Sequence, residues 1–126
     1  MRLLLDSHVA IWWLADDAQL GPDSRVAIAT ADEVVFSAVT PWELGIKRAL
    51  GRLTMPENLV AELIGAGFSA LPISAIHAES APRLPPHHRD PFDRMLIAQA
   101  NAEMLTLVTA DDRLRTYEVA LLDARR

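Results

Sequence analysis

The chain has 126 residues, of which 51% are hydrophobic and 23% charged, as is ordinary for one globular domain with a hydrophobic core. It has no cysteine, which excludes disulfides and thiolate metal sites. No apolar run approaches the roughly 20 residues that span a membrane. The net charge of −5 argues against nucleic acid as a partner, unless several acids gather at one cation-holding site. We therefore expect a single cytoplasmic domain over residues 1–126, without a membrane segment.

The first half of the chain alternates between short apolar runs and helical patterns. Residues 2–5 form an apolar run that stops at Asp6, which is typical of a strand buried on both faces of a parallel sheet. A helix over residues 9–14 follows, and Gly21-Pro22 marks a turn. Further predicted helices cover residues 25–31, 37–50 and 56–66, and further predicted strands cover residues 33–36 and 68–73.

The second half continues the alternation. It contains predicted helices over residues 74–80 and 90–103, a loop over 83–89, and strands over 105–108 and 119–122. Strands that alternate with helices pair in parallel through right-handed crossovers. We therefore predict an α/β fold, with a parallel sheet flanked by helices. Ligands of such sheets bind at the carboxyl ends of the strands.

Two acids follow the first two predicted strands. Asp6 ends the first strand, where it either caps the next helix or serves a site. Glu43 follows the second strand and has two interpretations. In one, Thr40-Pro41-Trp42-Glu43 is a capping box, which makes Glu43 structural. In the other, Ser37 caps the helix, and Glu43 lies deeper in it and is free to point elsewhere.

Further acids lie at the start of the 90–103 helix and after the 105–108 strand. Asp90 is the predicted N-cap of that helix, and Asp93 falls in its first turn. Asp111 and Asp112 follow the strand, and either could cap a short turn, so one is surplus to that task. Asp6, Glu43, Asp93 and Asp111 are all predicted at the same edge of the sheet.

A cluster of four carboxylates needs protons or a cation to neutralise it. With only oxygen ligands available, a hard cation such as Mg²⁺ or Mn²⁺ is the natural choice. The four histidines lack zinc spacing, and the chain has no glycine-rich phosphate loop. Asp6-Ser7-His8 also lacks the second acid of an Asp-x-Asp phosphatase motif.

Four segments together resemble PIN-domain proteins of the VapC toxin type. They are Leu-Leu-Leu-Asp6-Ser-His, Ser37-Ala-Val-Thr-Pro-Trp-Glu43-Leu-Gly-Ile-Lys47, Arg89-Asp-Pro-Phe-Asp93-Arg-Met-Leu-Ile-Ala-Gln-Ala and Leu107-Val-Thr-Ala-Asp111. The resemblance covers nearly the whole chain. It implies a parallel sheet with acids at its carboxyl edge and Mg²⁺- or Mn²⁺-dependent endoribonuclease activity.

The resemblance also implies roles for single residues. Asp6, Glu43, Asp93 and Asp111 match the family's acidic positions in turn, with Asp112 as the alternative to Asp111. We expect Asp6 and Asp93 to be direct metal ligands, while the other two act directly or through water. Asp90 matches a subgroup pattern. The family usually acts as the toxin of a toxin–antitoxin pair, dimerises, and is blocked by an antitoxin peptide in a groove.

Cations and tryptophans supply candidate contacts to RNA and to an antitoxin. Each cation is either a phosphate contact or a solvated surface charge; the candidates are Lys47, Arg48, Arg52, Arg89 and Arg94. Trp12 and Trp13 lie about 100° apart on a helix, so either one ring stays exposed as an antitoxin contact or the core takes both.

Two other classes of function remain open at this stage. One is a different enzyme with the same metal site, such as a DNA nuclease or a phosphatase. The other is a non-catalytic protein-binding module, in which the acids are only helix caps.

Overall fold

The structure is a computed structural model that describes residues 1–126. Its strands are β1 (Arg2–Leu5), β2 (Glu33–Ser37), β3 (Ser69–Leu71), β4 (Thr106–Thr109) and β5 (Leu121–Asp123). Its helices are α1 (Ser7–Ala15), α2 (Pro22–Thr30), α3 (Val39–Ala49), α4 (Leu59–Gly65), α5 (Ala75–Ser80) and α6 (Pro91–Glu103). Two short 3₁₀ turns cover Ala81–Arg83 and Asp112–Thr116.

The five strands form one parallel sheet in the order β3-β2-β1-β4-β5. The first strand of the chain lies at its centre, where Leu4 pairs with Val35 on one side and with Leu107 on the other. The predicted α/β fold with a parallel sheet between helices is confirmed. All five strands run the same way, so their carboxyl ends share one edge.

Side chains of β1 alternate between two apolar cores. Leu3 and Leu5 belong to the core on one face of the sheet, and Leu4 belongs to the core on the other. All three are fully buried, as a strand covered on both faces requires. None of the helices has the length and apolar character needed to cross a bilayer.

Several element bounds differ from those predicted. Helix α3 begins at Val39, two residues later than expected. Helix α4 begins at Leu59, three residues later than expected, after a turn at residues 57–58. The edge strand β3 stops at Leu71, before Pro72, which has no N–H to donate. The last strand begins at Leu121 instead of 119. These shifts leave the order of elements unchanged.

Candidate active site

The four predicted acids line one cavity of about 470 Å³ at the carboxyl edge of the sheet. Asp6 follows β1, Glu43 lies in the helix after β2, Asp93 in the first turn of α6, and Asp111 after β4. The further charged side chains that line the cavity are Lys47, Asp90, Asp112, Arg113 and Arg125. The parallel sheet therefore gathers residues that are more than 100 positions apart in the chain.

Asp6 is both a helix cap and a cavity residue. Its Oδ1 accepts hydrogen bonds from the backbone N–H groups of His8 (2.8 Å) and Val9 (3.4 Å) at the start of α1. Its Oδ2 accepts from the hydroxyl of Thr109 at 2.7 Å. Burial raises the pKa of Asp6 above its ordinary value, although these hydrogen bonds oppose the shift. A nearby cation would therefore favour the charged form.

Glu43 is not part of a capping box. Helix α3 begins before Thr40, and the hydroxyl of Ser37 accepts from the N–H of Val39, so the alternative start at Ser37 is the closer one. Glu43 is buried, with one oxygen accepting from the Ser7 hydroxyl (2.7 Å) and the other from Lys47 Nζ (2.8 Å). The carboxylate is therefore turned into the cavity.

Lys47 carries the positive charge closest to Glu43. Burial lowers the pKa of the Lys47 ammonium. The hydrogen bond to Glu43 and the charges of Asp90 and Asp93 raise it by more than burial lowers it, so the net shift is upward. The ammonium therefore stays protonated and offsets one of the clustered negative charges.

Asp93 has the most strongly altered acidity in the cavity. Burial, together with the carboxylates of Asp90, Asp6 and Glu43, raises the pKa of Asp93 to about 6. A contact of 2.8 Å between Asp93 Oδ2 and His88 Nε2 opposes this shift. The raised pKa reports first the cost of burying this carboxylate and then its repulsion from the neighbouring carboxylates.

The predicted start of α6 has the expected caps. Asp90 Oδ1 accepts from the backbone N–H groups of Phe92 (2.8 Å) and Asp93 (3.3 Å), and Pro91 is the first helical residue. His88 was not selected from the sequence. Its position two residues before this cap, after Pro85-Pro86, was the available signal, because a loop that bends into a helix start brings its side chains beside the first turn.

Asp111 is held by an arginine. Arg113 binds both of its oxygens, with Nε at 3.0 Å from Oδ1 and Nη2 at 2.7 Å from Oδ2. The Arg113 side chain holds the pKa of Asp111 below its ordinary value. Asp112 is 80% exposed and pairs with Arg115, whereas Asp111 is 23% exposed. Asp111 is thus the deeper of the two adjacent acids.

The predicted phosphate contacts divide into three groups. Lys47 lines the cavity, while Arg48 pairs with Glu57 on the surface. Arg52 and Arg89 are exposed and do not line the cavity. The cavity instead has two arginines that sequence reasoning missed, Arg113 and Arg125. The position of Arg113, two residues after Asp111, was a usable signal.

Arg94 has a structural role, which corrects its interpretation as a phosphate contact. Its two terminal nitrogens donate to five backbone carbonyls and to the Tyr117 hydroxyl. The carbonyls belong to residues 81, 82, 84, 85 and 88. Because its donors are committed to these acceptors, the guanidinium holds the loop before α6 and has little left to offer a phosphate.

Of the two alternatives for Trp12 and Trp13, the structure favours the one in which the core takes the rings. Trp12 is 9% exposed and belongs to the core, and Trp13 is half-buried with its ring 5.8 Å from that of Phe68. The exposed indole is Trp42, which is 62% exposed and packs edge-on against Phe92. An antitoxin contact at Trp12 or Trp13 stays a prediction.

The donor set fits a hard divalent cation. Carboxylate oxygens dominate the cavity, and ligand atoms of His88, Asp90 and Asp93 lie within 4.8 Å of one another. The upward pKa shifts of Asp6 and Asp93 are those that a bound cation would relieve.

Comparison with known proteins identifies relatives. The family model described as PIN domain matches residues 3–120. Ribonuclease VapC22 from Mycobacterium tuberculosis is 34% identical over 122 residues, which cover 91% of each chain. A similar structure is that of VapBC2 from Rickettsia felis bound to a promoter DNA fragment (TM-score 0.71, 16% identity, 98% of both chains). Another is DNA-bound VapBC from Salmonella typhimurium (TM-score 0.70, 16% identity, 98% of both chains). At this identity, the structural likenesses establish the fold.

Proposed function

The chain belongs to the PIN-domain family, and we propose that it is a metal-dependent endoribonuclease, the toxin of a VapBC-type toxin–antitoxin pair. The observation that carries the proposal is the meeting of Asp6, Glu43, Asp93 and Asp111 in one cavity. The 34% identity to a ribonuclease supports the reaction class. We further propose that residues 1–126 act as a single domain.

The carboxylates are proposed to hold Mg²⁺ or Mn²⁺. Asp6 and Asp93 are our direct ligands, and Glu43 and Asp111 complete the shell directly or through water. When bound, such a cation lowers the pKa of a water and stabilises charge on phosphoryl and leaving oxygens.

The polar neighbours of the acids are proposed to orient them. Thr109 fixes one oxygen of Asp6, and Ser7 fixes one oxygen of Glu43. Each acid thereby keeps its orientation while its remaining lone pairs stay available.

The cations of the cavity are proposed to bind the RNA backbone. Lys47 neutralises Glu43 in the structure and can turn to a phosphate once a metal takes over that task. Arg113 is anchored by Asp111 while its side chain remains 68% exposed. These positive groups offset the repulsion between an acidic cavity and the phosphates of RNA.

The partner proposed for the chain is a cognate antitoxin, as in the VapBC structures that share its fold. An antitoxin arginine or lysine that enters the cavity would pair with the carboxylates and compete with the metal. We also propose a homodimer. Trp13→Ala should weaken antitoxin binding while RNA cleavage by the free protein persists; binding at wild-type affinity would argue against Trp13 as a contact.

The central test is cleavage by protein purified free of any partner. Defined RNA, DNA and phosphomonoester substrates are incubated with Mg²⁺, with Mn²⁺ or with EDTA. We expect RNA cleavage that requires the metal and is lost in Asp6→Asn and Asp93→Asn, but kept in the control Glu62→Gln on α4. Cleavage that persists in EDTA or in both aspartate variants would contradict the proposal.

The other classes predict different results in the same experiment. Preference for DNA or for a phosphomonoester would indicate a different enzyme with the same metal site. A binding module should cleave nothing, and its melting temperature should not respond to either metal.

A further inference from the structure

An imidazole on the loop before α6 contacts Asp93, one of the acids that line the cavity. His88 Nε2 lies 2.8 Å from Asp93 Oδ2, and the His88 side chain is 10% exposed. Tyr117 holds the backbone of His88 from both sides, because its hydroxyl accepts from the His88 N–H (2.9 Å) and lies 3.3 Å from the His88 carbonyl oxygen. Arg94 also donates to this carbonyl at 3.2 Å. These bonds hold the backbone at His88, while the ring itself is oriented by its contact with Asp93.

Two carboxylates complete a set of three potential ligands around this ring. One ligand atom each of His88, Asp90 and Asp93 lies within 4.8 Å of the others, which is close enough for a shared ion. Asp90 uses Oδ1 to cap α6, and its Oδ2 makes no hydrogen bond within the chain. Asp93 likewise uses only Oδ2 in its contact with the imidazole, so one oxygen of each aspartate remains available.

We propose that His88 is a nitrogen ligand of the divalent cation, so that the site binds Mn²⁺ in preference to Mg²⁺. Mg²⁺ is held mainly by oxygen ligands and water, whereas imidazole nitrogen suits transition-metal ions. The inference rests on the metal-dependent function proposed above, because it specifies which ion that cavity selects. Asp93 becomes the residue common to both ligand groups, since it lines the cavity together with Asp6 and contacts His88.

The competing explanation is that His88 only balances the charge of Asp93. In that case the ring and the metal compete for the same carboxylate, and removing the ring would tighten the binding of both ions. If His88 is a ligand, removing it weakens Mn²⁺ binding and leaves Mg²⁺ binding nearly unchanged. The two explanations therefore predict opposite changes in Mn²⁺ affinity.

The test measures metal binding without any RNA. Free Mn²⁺ is followed by electron paramagnetic resonance during titration of the intact protein, and Mg²⁺ affinity is obtained by calorimetry. His88→Asn should weaken Mn²⁺ binding by about tenfold or more, the usual effect of losing support at a metal site, and Mg²⁺ binding by less than about threefold. His88→Gln provides a second variant should the first fold poorly. The matched control is His87→Asn, because His87 is exposed and does not belong to the group formed by His88, Asp90 and Asp93.

A spectroscopic readout separates ligation from indirect effects. Pulsed electron paramagnetic resonance of bound Mn²⁺ should detect coupling to an imidazole nitrogen in the wild-type protein and in His87→Asn, but not in His88→Asn. Absence of that coupling in the wild type, or tighter Mn²⁺ binding in His88→Asn, would overturn the inference. Failure to cleave RNA in the substrate test described above would overturn the proposed function alone. The metal-binding experiment contains no nucleic acid, so its outcome does not depend on that result.

Discussion

At the scale of single residues, the acids of the cavity combine structural and chemical tasks. Asp6 and Asp90 each cap a helix with one oxygen. The other oxygen of Asp6 accepts from Thr109, and that of Asp90 is left without a hydrogen-bond partner. A capping assignment therefore does not argue against a role in the site. It explains how a short carboxylate is held in a fixed orientation beside a buried strand end.

Replacing Asp93 should stabilise the metal-free protein at neutral pH. The pKa of Asp93 is raised to about 6, so the folded protein binds this proton more tightly than the unfolded chain does. The resulting stabilisation is complete below about pH 4, the ordinary pKa of an aspartate, and is lost as the pH rises through about 6. Asp93→Asn should raise the free energy of unfolding by on the order of 2 kcal/mol at pH 7.5 and by much less at pH 4. Urea unfolding in EDTA at both pH values measures the difference.

The matched control for this substitution is Asp23→Asn. Asp23 also lies in the first turn of a helix but is exposed, so its removal should cost only a few tenths of a kcal/mol. Reduced stability of Asp93→Asn at pH 7.5 would show that the carboxylate is not under electrostatic strain.

Glu43→Gln should separate catalysis from folding. Glutamine keeps an oxygen that can accept from Ser7, and Glu43 does not cap its helix, so we expect a melting temperature near that of the wild type. The variant loses the charge that the metal and Lys47 require, and RNA cleavage should fall by orders of magnitude. Normal cleavage by a folded Glu43→Gln variant would remove Glu43 from the active site.

At the scale of elements, the loop before α6 depends on Arg94. Its bonds to five carbonyls make Arg94→Ala costly, and we expect a loss of on the order of 3 kcal/mol in unfolding free energy. Arg89→Ala is the control, because Arg89 is exposed in the same region and should change stability by less than about 0.5 kcal/mol. Urea unfolding compares the two. If Arg94→Ala were as stable as Arg89→Ala but bound RNA more weakly, Arg94 would be a phosphate contact after all.

Elements with strong local signals were predictable from the sequence. The apolar run of residues 2–5 predicts the central strand β1, and Asp90-Pro91 predicts the start of α6. Capping depends only on adjacent residues, so it can be recognised in the sequence. The start of α3 was ambiguous because Ser37 and Thr40 are both good caps locally. In the structure the Thr40 hydroxyl contacts Ser7, 33 positions away, and such a contact is not visible in local sequence patterns.

At the scale of the whole molecule, the meeting of the acids was more predictable from the sequence than the side chains that surround them. A parallel sheet sends every strand end to one edge, so the meeting of Asp6 and Asp111 follows from the alternation of elements. The partners of these acids did not follow. Arg94 and Arg113 have the same charge in the sequence, yet one holds a loop and the other lines the cavity. Only the packed structure separates them.

The residues that follow β5 pack against the start of α2 at Gly21. This residue caps α2 without a side chain, and the carbonyl oxygen of Arg126 accepts from the N–H groups of Asp23 (2.7 Å) and Ser24 (3.1 Å). A Cβ at position 21 would lie 2.1 Å from the backbone carbon of Arg126, so Arg126 must shift to admit it. Gly21→Ala should therefore displace Arg126, weaken its hydrogen bonds to the start of α2 and lower the unfolding free energy by about 1 kcal/mol or more.

Gly45→Ala is the counterpart of this substitution. Gly45 lies inside α3, and a Cβ there would meet no atom within 4 Å. Alanine is favoured over glycine in a helix, so this variant should gain about 0.5–1 kcal/mol. Urea unfolding of the two variants should thus give changes of opposite sign, although each adds one methyl group. A Gly21→Ala variant as stable as the wild type would show that the segment ending at Arg126 does not contribute to closing the fold.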